Sequence, residues 1–272
     1  MTQISILGCG WLGFPLAKAL LKKDFSVKGS TTSSNKLSIL ENSEIQPFLI
    51  ALSEDKISGD LNSFLENSKI LIIDVPPKLR GSERENFVCK IKNQIPFIEK
   101  SSVENLLFIS STSVYGEDNL VVTEETQLNP DTEGGKQLVE TEQLLQSNSN
   151  FKTTILRFGG LIGEDRHPIK FLAGRKNIEN PNAPINLIHQ EDCIGIILKI
   201  IQLAQNNQLE WNETFNAVSP FHPGRKEYYT QKAIDLNLDL PEFNVGNSSF
   251  GKTISSSKVE TVLGYTFIKP HL

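Results

Sequence analysis

The sequence has few cysteines and no paired ones. Only three occur in 272 residues (Cys9, Cys89 and Cys193), and no two of them form a Cys-x-x-Cys motif. An odd and scattered set is typical of proteins in a reducing compartment, and it argues against a disulfide framework or a structural zinc site. We therefore expect no metal centre, and a stability that rests on an ordinary hydrophobic core.

The sequence also lacks a long apolar run and a basic block. Its most apolar helical stretch, CIGIILKIIQLA, is much shorter than a membrane span and contains Lys199. The opening MTQISILGCG has no cationic region followed by a cleavable apolar segment. Because the formal net charge is −5, nucleic acid is not an expected partner. These absences predict a cytoplasmic protein without a membrane anchor.

What is present is a regular alternation of short apolar runs with longer amphipathic patterns. Most of the runs are continuously apolar, as expected of parallel strands that helices cover on both faces. The predicted strands are 4–8, 26–30, 47–51, 69–75, 105–111, 153–159 and 213–219, and the predicted helices are 12–23, 36–42, 60–67, 83–100, 134–147 and 191–205. This order predicts an α/β fold, a doubly wound Rossmann-type parallel sheet of about seven strands with ligands at the carboxyl ends of the strands.

The first predicted strand runs into a glycine-rich turn, ISILGCGWLGFPLAKAL, that opens the first predicted helix. Gly8, Gly10 and Gly13 have the G-x-G-x-x-G spacing of dinucleotide-binding loops. In such loops the first glycine makes the tight turn, the second lets a pyrophosphate approach the helix N-terminus, and the third lets the helix pack on the strand. We expect Trp11 and Leu12 to contact the ligand as well. S-adenosylmethionine is a rival ligand, and a tight turn without any ligand is the remaining alternative.

The second predicted strand ends without the acidic residue that binds the ribose 2′-hydroxyl in many NAD sites. No Asp or Glu occurs from 25 to 40, where the sequence includes VKGSTTSSNK. Hydroxyl groups and a cation suit the 2′-phosphate of NADP, so we expect NADP to be preferred over NAD. The residues expected to make this contact are Ser30, Thr31, Thr32 and Lys36. The missing acid also counts against S-adenosylmethionine, whereas a solvated Ser/Thr-rich loop stays open as an alternative.

The alternation of strands and helices breaks between 160 and 190, where Gly, Pro, Asn and charged residues are frequent. Such loop-forming composition indicates a small lobe over the sheet. We expect a dinucleotide-binding Rossmann core over 1–160. The region 161–272 is expected to complete the sheet with the strand near 213–219 and to form a small C-terminal lobe that encloses a substrate.

Four segments together resemble the extended short-chain dehydrogenase/reductases, the NAD-dependent epimerase/dehydratase family. They are the glycine loop, SSTSVYG after the fifth strand, ILRFGGLIG after the sixth, and NLIHQEDC before the long helix at 193. The resemblance implies that Ser111 polarises a substrate carbonyl or hydroxyl group. The cofactor-binding residues expected beside the glycine loop are Val75, Pro76, Pro77, Ser110, Ser111, Phe158 and Gly159.

The resemblance also implies a Tyr-x-x-x-Lys pair at the start of the next long helix, and this pair is missing. Counted from Pro130, the tyrosine position holds Gly134 and the lysine position holds Leu138. In the register that makes Lys136 the lysine, Thr132 takes the tyrosine position. Neither register supplies a phenol, so ordinary tyrosine-dependent dehydrogenase chemistry is not expected.

The tyrosines elsewhere in the chain do not replace the missing one. Tyr115 belongs to the VYG turn, where it resembles a structural residue. Two further Tyr-x-x-x-Lys matches, Tyr228 with Lys232 and Tyr265 with Lys269, follow the last predicted strand and are interpreted as chance. The chain therefore resembles the atypical short-chain dehydrogenase/reductases, which keep the cofactor loop and lose the usual catalytic residues.

A substitute for the tyrosine has to come from another group, because an alcohol must lose its proton as hydride leaves. The candidate catalytic residues are Ser111, His189 and His222. His167 is interpreted as an exposed loop histidine. Asp192 is interpreted as the N-cap of the helix that follows it.

Two functions of different classes stay open at this point. The first is an NAD(P)-dependent oxidoreductase or epimerase that acts on a small hydroxylated or carbonyl substrate, such as a nucleotide sugar. The second is a non-catalytic NADP(H)-binding module that regulates a partner. Ser111 favours the first function and Gly134 favours the second. Either protein would bind small molecules and neither nucleic acid nor membrane, and a homodimer is a possible assembly.

Overall fold

Seven parallel strands form one central sheet in the computed structural model, which describes residues 1–77, 85–117, 120–244 and 251–272. In chain order the strands are β1 (Gln3–Leu7), β2 (Ser26–Thr31), β3 (Gln46–Leu49), β4 (Ala51–Leu52), β5 (Ile57–Ser58), β6 (Ser68–Ile73), β7 (Asn105–Ser111), β8 (Val121–Val122), β9 (Lys152–Phe158), β10 (Gly160–Ile162), β11 (Leu187–His189), β12 (Thr214–Ala217) and β13 (Thr253–Ile254). The central sheet has the order β3-β2-β1-β6-β7-β9-β12. This is the doubly wound Rossmann topology, so the predicted fold class is confirmed.

The strand order reverses between β1 and β6. From β1 the chain winds outward through β2 to β3, and it then returns to the other side of β1 to build the rest of the sheet. In open α/β sheets, ligands bind in the crevice outside the carboxyl ends of the strands at such a reversal. The glycine turn follows β1 and therefore borders this crevice.

The predicted strand 47–51 is divided in the structure. β3 pairs with β2 alone and ends at Leu49, and Ala51–Leu52 turns away to pair antiparallel with Ile57–Ser58. Pro47 lies in β3 opposite Gly29. A proline cannot donate to a ladder of hydrogen bonds, so its place on an edge strand follows from its chemistry.

The helices lie between the strands and after them. They are α1 (Gly13–Leu21), α2 (Leu37–Glu41), α3 (Leu61–Leu65), α4 (Phe87–Lys92), α5 (Ile95–Glu99), α6 (Glu133–Gln146), α7 (Ile169–Leu172), α8 (Gln190–Gln205), α9 (Arg225–Asp235) and α10 (Ser257–Thr261). The helix predicted over 83–100 is two helices, and residues 83 and 84 lie outside the described part of the chain. Pro96 explains the break, because a proline removes a helical N–H and its ring clashes with the preceding turn.

Both faces of the sheet are covered by apolar side chains. On one face, α1 and α8 pack together through residues such as Leu16, Ile196 and Ile200. A second cluster joins the sheet to α3, α4 and α6. A third and smaller cluster includes Ile169 and Tyr228 and belongs to the α7–α9 region. The second half of the chain thus contributes both to the main core, through α8 and β12, and to this small separate cluster.

Within the described ranges, no helix has the length and apolar character that a bilayer crossing requires.

A buried ion pair connects α6 to β9 beneath the end of β7. The Arg157 guanidinium lies 2.6 Å from the Glu142 carboxylate, and both side chains are almost fully buried. The same guanidinium donates to the Tyr115 hydroxyl at 2.6 Å, and that hydroxyl donates to Asn216 at 2.9 Å. The Ser110 hydroxyl donates to Glu142 at 2.5 Å. One network therefore holds the chain that follows β7, the helix α6 and the two neighbouring strands.

We predict that Glu142→Ala lowers the free energy of unfolding by about 3–5 kcal/mol, because it leaves the Arg157 charge buried without its carboxylate. Urea unfolding at neutral pH measures the change. Glu140→Ala is the matched control, since Glu140 is exposed on the same helix and should change stability by less than about 0.5 kcal/mol. Equal stabilities of the two variants would contradict the role given to the ion pair.

Candidate functional site

The glycine turn is shaped by two very close backbone approaches. Gly8 has φ +112°, and a Cβ placed there would lie 2.3 Å from the carbonyl oxygen of Asp74. A Cβ on Gly13 would lie 2.2 Å from the carbonyl oxygen of Gly8. A Cβ on Gly10, in contrast, meets no atom within 4 Å. The first and third glycines are therefore required by packing, whereas the second borders open space at the start of α1.

Trp11 joins the glycine turn to the turn at 163–166. Its indole N–H donates to Asp165 at 2.8 Å, and the Arg166 guanidinium lies 4.9 Å from the ring centroid. The carbonyl of Trp11 accepts a hydrogen bond from Gln190 at 2.6 Å. The side chain of Leu12 points into the core and is 2% exposed. Of the two residues between Gly10 and Gly13, only Trp11 has a side chain on the outer face of the loop.

The expected 2′-phosphate residues at the end of β2 fall into two groups. Ser30 is buried, and its hydroxyl accepts the N–H of Gly8 at 2.9 Å. Thr31 is buried as well, and its hydroxyl accepts the N–H of Ser33 at 3.2 Å. Thr32 and Lys36 are exposed. The hydroxyls of Ser30 and Thr31 thus bind the backbone of the adjoining loops, whereas the side chains of Thr32 and Lys36 are exposed to solvent.

Asp74 is a titratable group in the crevice, and the sequence patterns did not single it out as one. Its N–H donates to the carbonyl of Leu7 at 2.9 Å, which continues the pairing of β6 with β1. Burial raises the pKa of its carboxyl to about 7, opposed by hydrogen bonding from the Gly13 N–H and by the charge of Arg166. The sequence feature that could have indicated Asp74 is a single acidic residue directly after the strand run KILII. Beyond it, Val75 is half-buried within the same crevice.

Pro76 is exposed and Pro77 is half-buried in the loop after β6. They belong to the carboxyl-end rim of the sheet, where ligands were expected.

The hydroxyl residues at the end of β7 and in the turn after it do not share one environment. Ser110 is buried and bonded to Glu142. Ser111 is half-buried, and its hydroxyl accepts the N–H of Ser113, which caps a single 3₁₀ turn over Thr112–Val114. Tyr115 is fully buried in the Arg157 network, as expected of a structural residue. Ser111 is therefore half-buried at the carboxyl end of β7, unlike the buried Ser110 and Thr112.

The start of α6 contains the positions at which the family resemblance implies a Tyr-x-x-x-Lys pair. A Cβ on Gly135 would lie 2.3 Å from the carbonyl of Ser113, so the helix packs tightly against the 3₁₀ turn. Gly134, in the tyrosine position, borders open space. Leu138, in the lysine position, is 4% exposed and belongs to the apolar core. In the other register, Thr132 is the N-cap of α6 and accepts the N–H of Gly135 at 3.1 Å.

The end of β9 approaches the segment before β11 closely. Phe158 is buried and pairs in register with Ser111 of the neighbouring strand. A Cβ on Gly159 would lie 2.6 Å from the carbonyl of Asn186. Phe158 thus supports the crevice from the core, and Gly159 permits the close crossing of the two segments.

His189 and His222 both have structural hydrogen bonds. His189 is the N-cap of α8, and its Nδ1 accepts the N–H of Glu191 at 3.3 Å. The Nδ1 of His222 lies 2.9 Å from the carbonyl of Ile185 and donates to it. Both rings are half-buried. Among the described residues, no hydrogen bond joins either ring to Ser111.

Two expectations from the sequence are wrong in this region. Asp192 is not the N-cap of α8; it is fully buried, and it accepts hydrogen bonds from Tyr265, Ile268 and Lys269 at 2.7–3.0 Å. Through these hydrogen bonds its carboxylate holds the C-terminal segment, which is distant from Asp192 in the sequence.

His167 is not an exposed loop histidine. It is half-buried, bonds to the Tyr228 hydroxyl at 2.9 Å and accepts the N–H of Ile169 at 3.1 Å. Burial, followed by the charges of Lys232 and Lys170, lowers its pKa to about 4. His167 and Tyr228 therefore form a neutral hydrogen-bonded pair inside the small cluster.

No protein-family model matches the chain. Protein YeeZ of Escherichia coli K12 is 32% identical over 273 residues, a match that covers 99% of this chain and 97% of that protein. The chain belongs to the YeeZ family. Protein YeeZ of Escherichia coli O157:H7 matches to the same extent.

Solved structures share the fold of this YeeZ-family chain over nearly its whole length. A functionally unknown conserved protein from Silicibacter pomeroyi DSS is 20% identical with a TM-score of 0.78, covering 100% of this chain and 95% of its own. A proposed NAD-dependent epimerase/dehydratase from Methylobacillus flagellatus is 23% identical with a TM-score of 0.75, covering 99% and 94%. UDP-glucuronic acid 4-epimerase from Bacillus cereus, solved with NAD, is 18% identical with a TM-score of 0.78, covering 98% and 94%. At the level of the fold, the resemblance to the epimerase/dehydratase family is confirmed.

Proposed function

We propose that the protein binds a nicotinamide dinucleotide across the carboxyl ends of β1, β2, β6 and β7. The observation that carries this proposal is the open space beside Gly10, at the N-terminus of α1 and at the reversal of strand order. A helix N-terminus presents unpaired N–H groups and a partial positive charge to a phosphate. The complexes of the Bacillus cereus epimerase and of MoeE5 with NAD support the same choice of ligand.

Gly10→Val is predicted to abolish measurable dinucleotide binding while leaving the fold intact. The new side chain meets no atom of the protein within 4 Å of its Cβ, so it occupies only the space proposed for the pyrophosphate. Isothermal titration calorimetry with NADPH and NADH measures binding, and thermal unfolding checks the fold.

Gly224→Val is the matched control, because a Cβ at Gly224 makes only ordinary contacts from 3.7 Å and the residue lies at the start of α9. Unchanged dinucleotide affinity in Gly10→Val would show that the ligand does not bind at the glycine turn.

We also propose that NADP is preferred over NAD. The support is the absence of any acid from 25 to 40 together with the exposed side chains of Thr32 and Lys36. Ser30 and Thr31 would act indirectly, since their hydroxyls already hold the backbone of the two adjoining loops. A phosphate monoester at this edge would gain a charge-assisted contact from the lysine.

Thr32→Asp is predicted to weaken NADPH binding by about tenfold or more and to affect NADH much less. The added carboxylate repels the 2′-phosphate, and a hydrogen bond to a charged group contributes about 1.5–3 kcal/mol. Calorimetric titration of both nucleotides gives the two dissociation constants. Ser149→Asp, in the exposed segment after α6, adds the same charge elsewhere and should change neither value. Equal affinities of the native protein for NADPH and NADH would contradict the preference.

The reaction we propose is an oxidation–reduction or epimerisation of a small hydroxylated or carbonyl substrate, with nucleotide sugars as the first class to test. The bound nicotinamide would supply hydride donation or acceptance. Ser111 would then donate a hydrogen bond to the substrate oxygen, because its side chain is half-buried at the carboxyl end of β7 and its hydroxyl accepts from Ser113. The proton acceptor would have to differ from the usual tyrosine, since position 134 is glycine and position 138 is a core leucine.

A second function, a non-catalytic NADP(H)-binding module, is favoured by the glycine at 134 and the leucine at 138. A lysine at 138 would be buried in the apolar core, which disfavours its charged form. The packing at 138 therefore disfavours the lysine of the usual proton-transfer pair. In either case we propose a cytoplasmic protein with a core at 1–160 and a substrate-enclosing lobe built from 161–272.

We predict turnover of at least one nucleotide sugar or small carbonyl compound, with Ser111→Ala lowering kcat by about 10²-fold or more, as for the loss of a donor to a reacting oxygen. Ser149→Ala is the matched control on an exposed segment and should keep full activity. His189→Ala and His222→Ala test the two candidate proton acceptors. Full turnover by Ser111→Ala would contradict the role of Ser111. Retained dinucleotide binding without any turnover by the native protein would favour the regulatory module.

A further inference from the structure

The carboxyl group of Asp74 lies beside Gly13, the third glycine of the turn and the first residue of α1. Its Oδ2 is 3.2 Å from a Cβ built on Gly13. The carbonyl of the same residue sets the close approach to Gly8. The side chain is thus held at the first turn of α1, among the donors that a pyrophosphate would use.

Within residues 1–77, 85–117, 120–244 and 251–272, one opposing charge acts on this carboxyl. Arg166 is the cation that faces it, from the 163–166 turn. Cys9, in the glycine turn, is a neutral thiol, because burial and the nearby carboxylate raise its pKa to about 12. Cys193, on α8, is fully buried, and burial raises its pKa as well. Asp192 also faces that thiol, but its carboxylate is bonded to the C-terminal segment.

A bound pyrophosphate would bring two further negative charges to the same donors. Two anions in one partly buried site repel each other, which raises the free energy of the state in which both are ionised. The group with the higher pKa then takes up a proton. Phosphodiester oxygens stay ionised throughout the neutral range, whereas burial raises the pKa of the Asp74 carboxyl to about 7. The ligand therefore shifts the carboxyl, and not itself, to the neutral form.

We propose that dinucleotide binding is coupled to the uptake of one proton by Asp74, whose neutral carboxyl then faces the pyrophosphate and leaves the Gly13 N–H and Arg166 to the ligand. This inference rests on the proposed function, because it requires a dinucleotide at the glycine turn. The proton comes from solvent, attaches to a carboxylate oxygen of Asp74, and returns to solvent when the ligand leaves. Affinity then falls as the pH rises above about 7.

Calorimetric titration with NADH between pH 6.5 and 9, in pairs of buffers of different ionisation enthalpy, tests the coupling. NADH is the suitable probe because it lacks the 2′-phosphate monoester of NADPH, whose own titration near pH 6 would add a signal. The native protein is expected to take up close to one proton per NADH bound at pH 8. Its dissociation constant should rise by up to tenfold per pH unit above pH 7.

Asp74→Asn should bind NADH without proton uptake, with an affinity that no longer depends on pH and that exceeds the native affinity at pH 9 by tenfold or more. Asp55→Asn removes a carboxylate from an exposed turn and should behave like the native protein. The measurement of proton uptake by the native protein remains a test of the coupling even if Asp74→Asn does not fold.

NADH binding by the native protein without proton uptake and without a pH slope would overturn the coupling and leave the proposed function intact. The same slope in Asp74→Asn would assign the proton to another group and also overturn it. No binding of NADH or NADPH at any pH would remove the proposed function, and the coupling with it.

Discussion

The close approach of Gly8 to the carbonyl of Asp74 is the constraint on which the candidate site depends. It brings the ends of β1 and β6 together at the reversal of strand order, and no residue with a Cβ fits there. The turn that follows then places α1 with its N-terminus toward the crevice, and Gly13 packs against the carbonyl of Gly8. The Ser30 hydroxyl, at the end of β2, accepts the N–H of Gly8 and holds the turn there. The shape of the glycine turn is thus set by backbone packing.

The opposite wall of the crevice depends on a buried charge. Arg157 and Glu142 hold α6 against β9, and through Ser110 and Tyr115 they fix the chain that carries Ser111. The helix α6 packs closely against the 3₁₀ turn at Gly135. Its next inward-facing position, Leu138, lies in the core. A single substitution at Gly134 would supply a phenol without the lysine that lowers its pKa. The chain thus has a glycine beside open space at 134 and a core leucine at 138, the two positions where the family resemblance implies tyrosine and lysine.

The sheet and the glycine turn were predictable from local signals, since continuous apolar runs mark covered parallel strands and the glycine spacing marks the turn. Pro96 could also have predicted the end of α4, because its effect on a helix is local. Asp192 was interpreted wrongly because its partners, at 265–269, are brought to it only by the fold. The pairing of His167 with Tyr228 has the same origin. Asp74 could be placed in the correct loop, but its titration depends on burial, which no pattern of neighbouring residues reports.

The central claim is that the glycine turn binds the pyrophosphate of a nicotinamide dinucleotide, and a crystal structure of the protein with NADPH tests it most directly. The account predicts pyrophosphate oxygens within hydrogen-bonding distance of backbone N–H groups from Gly10 to Gly13, with the 2′-phosphate toward Thr32 and Lys36 and the nicotinamide toward Ser111. A dinucleotide bound away from the start of α1, or crystals grown with saturating NADPH that contain none, would contradict it.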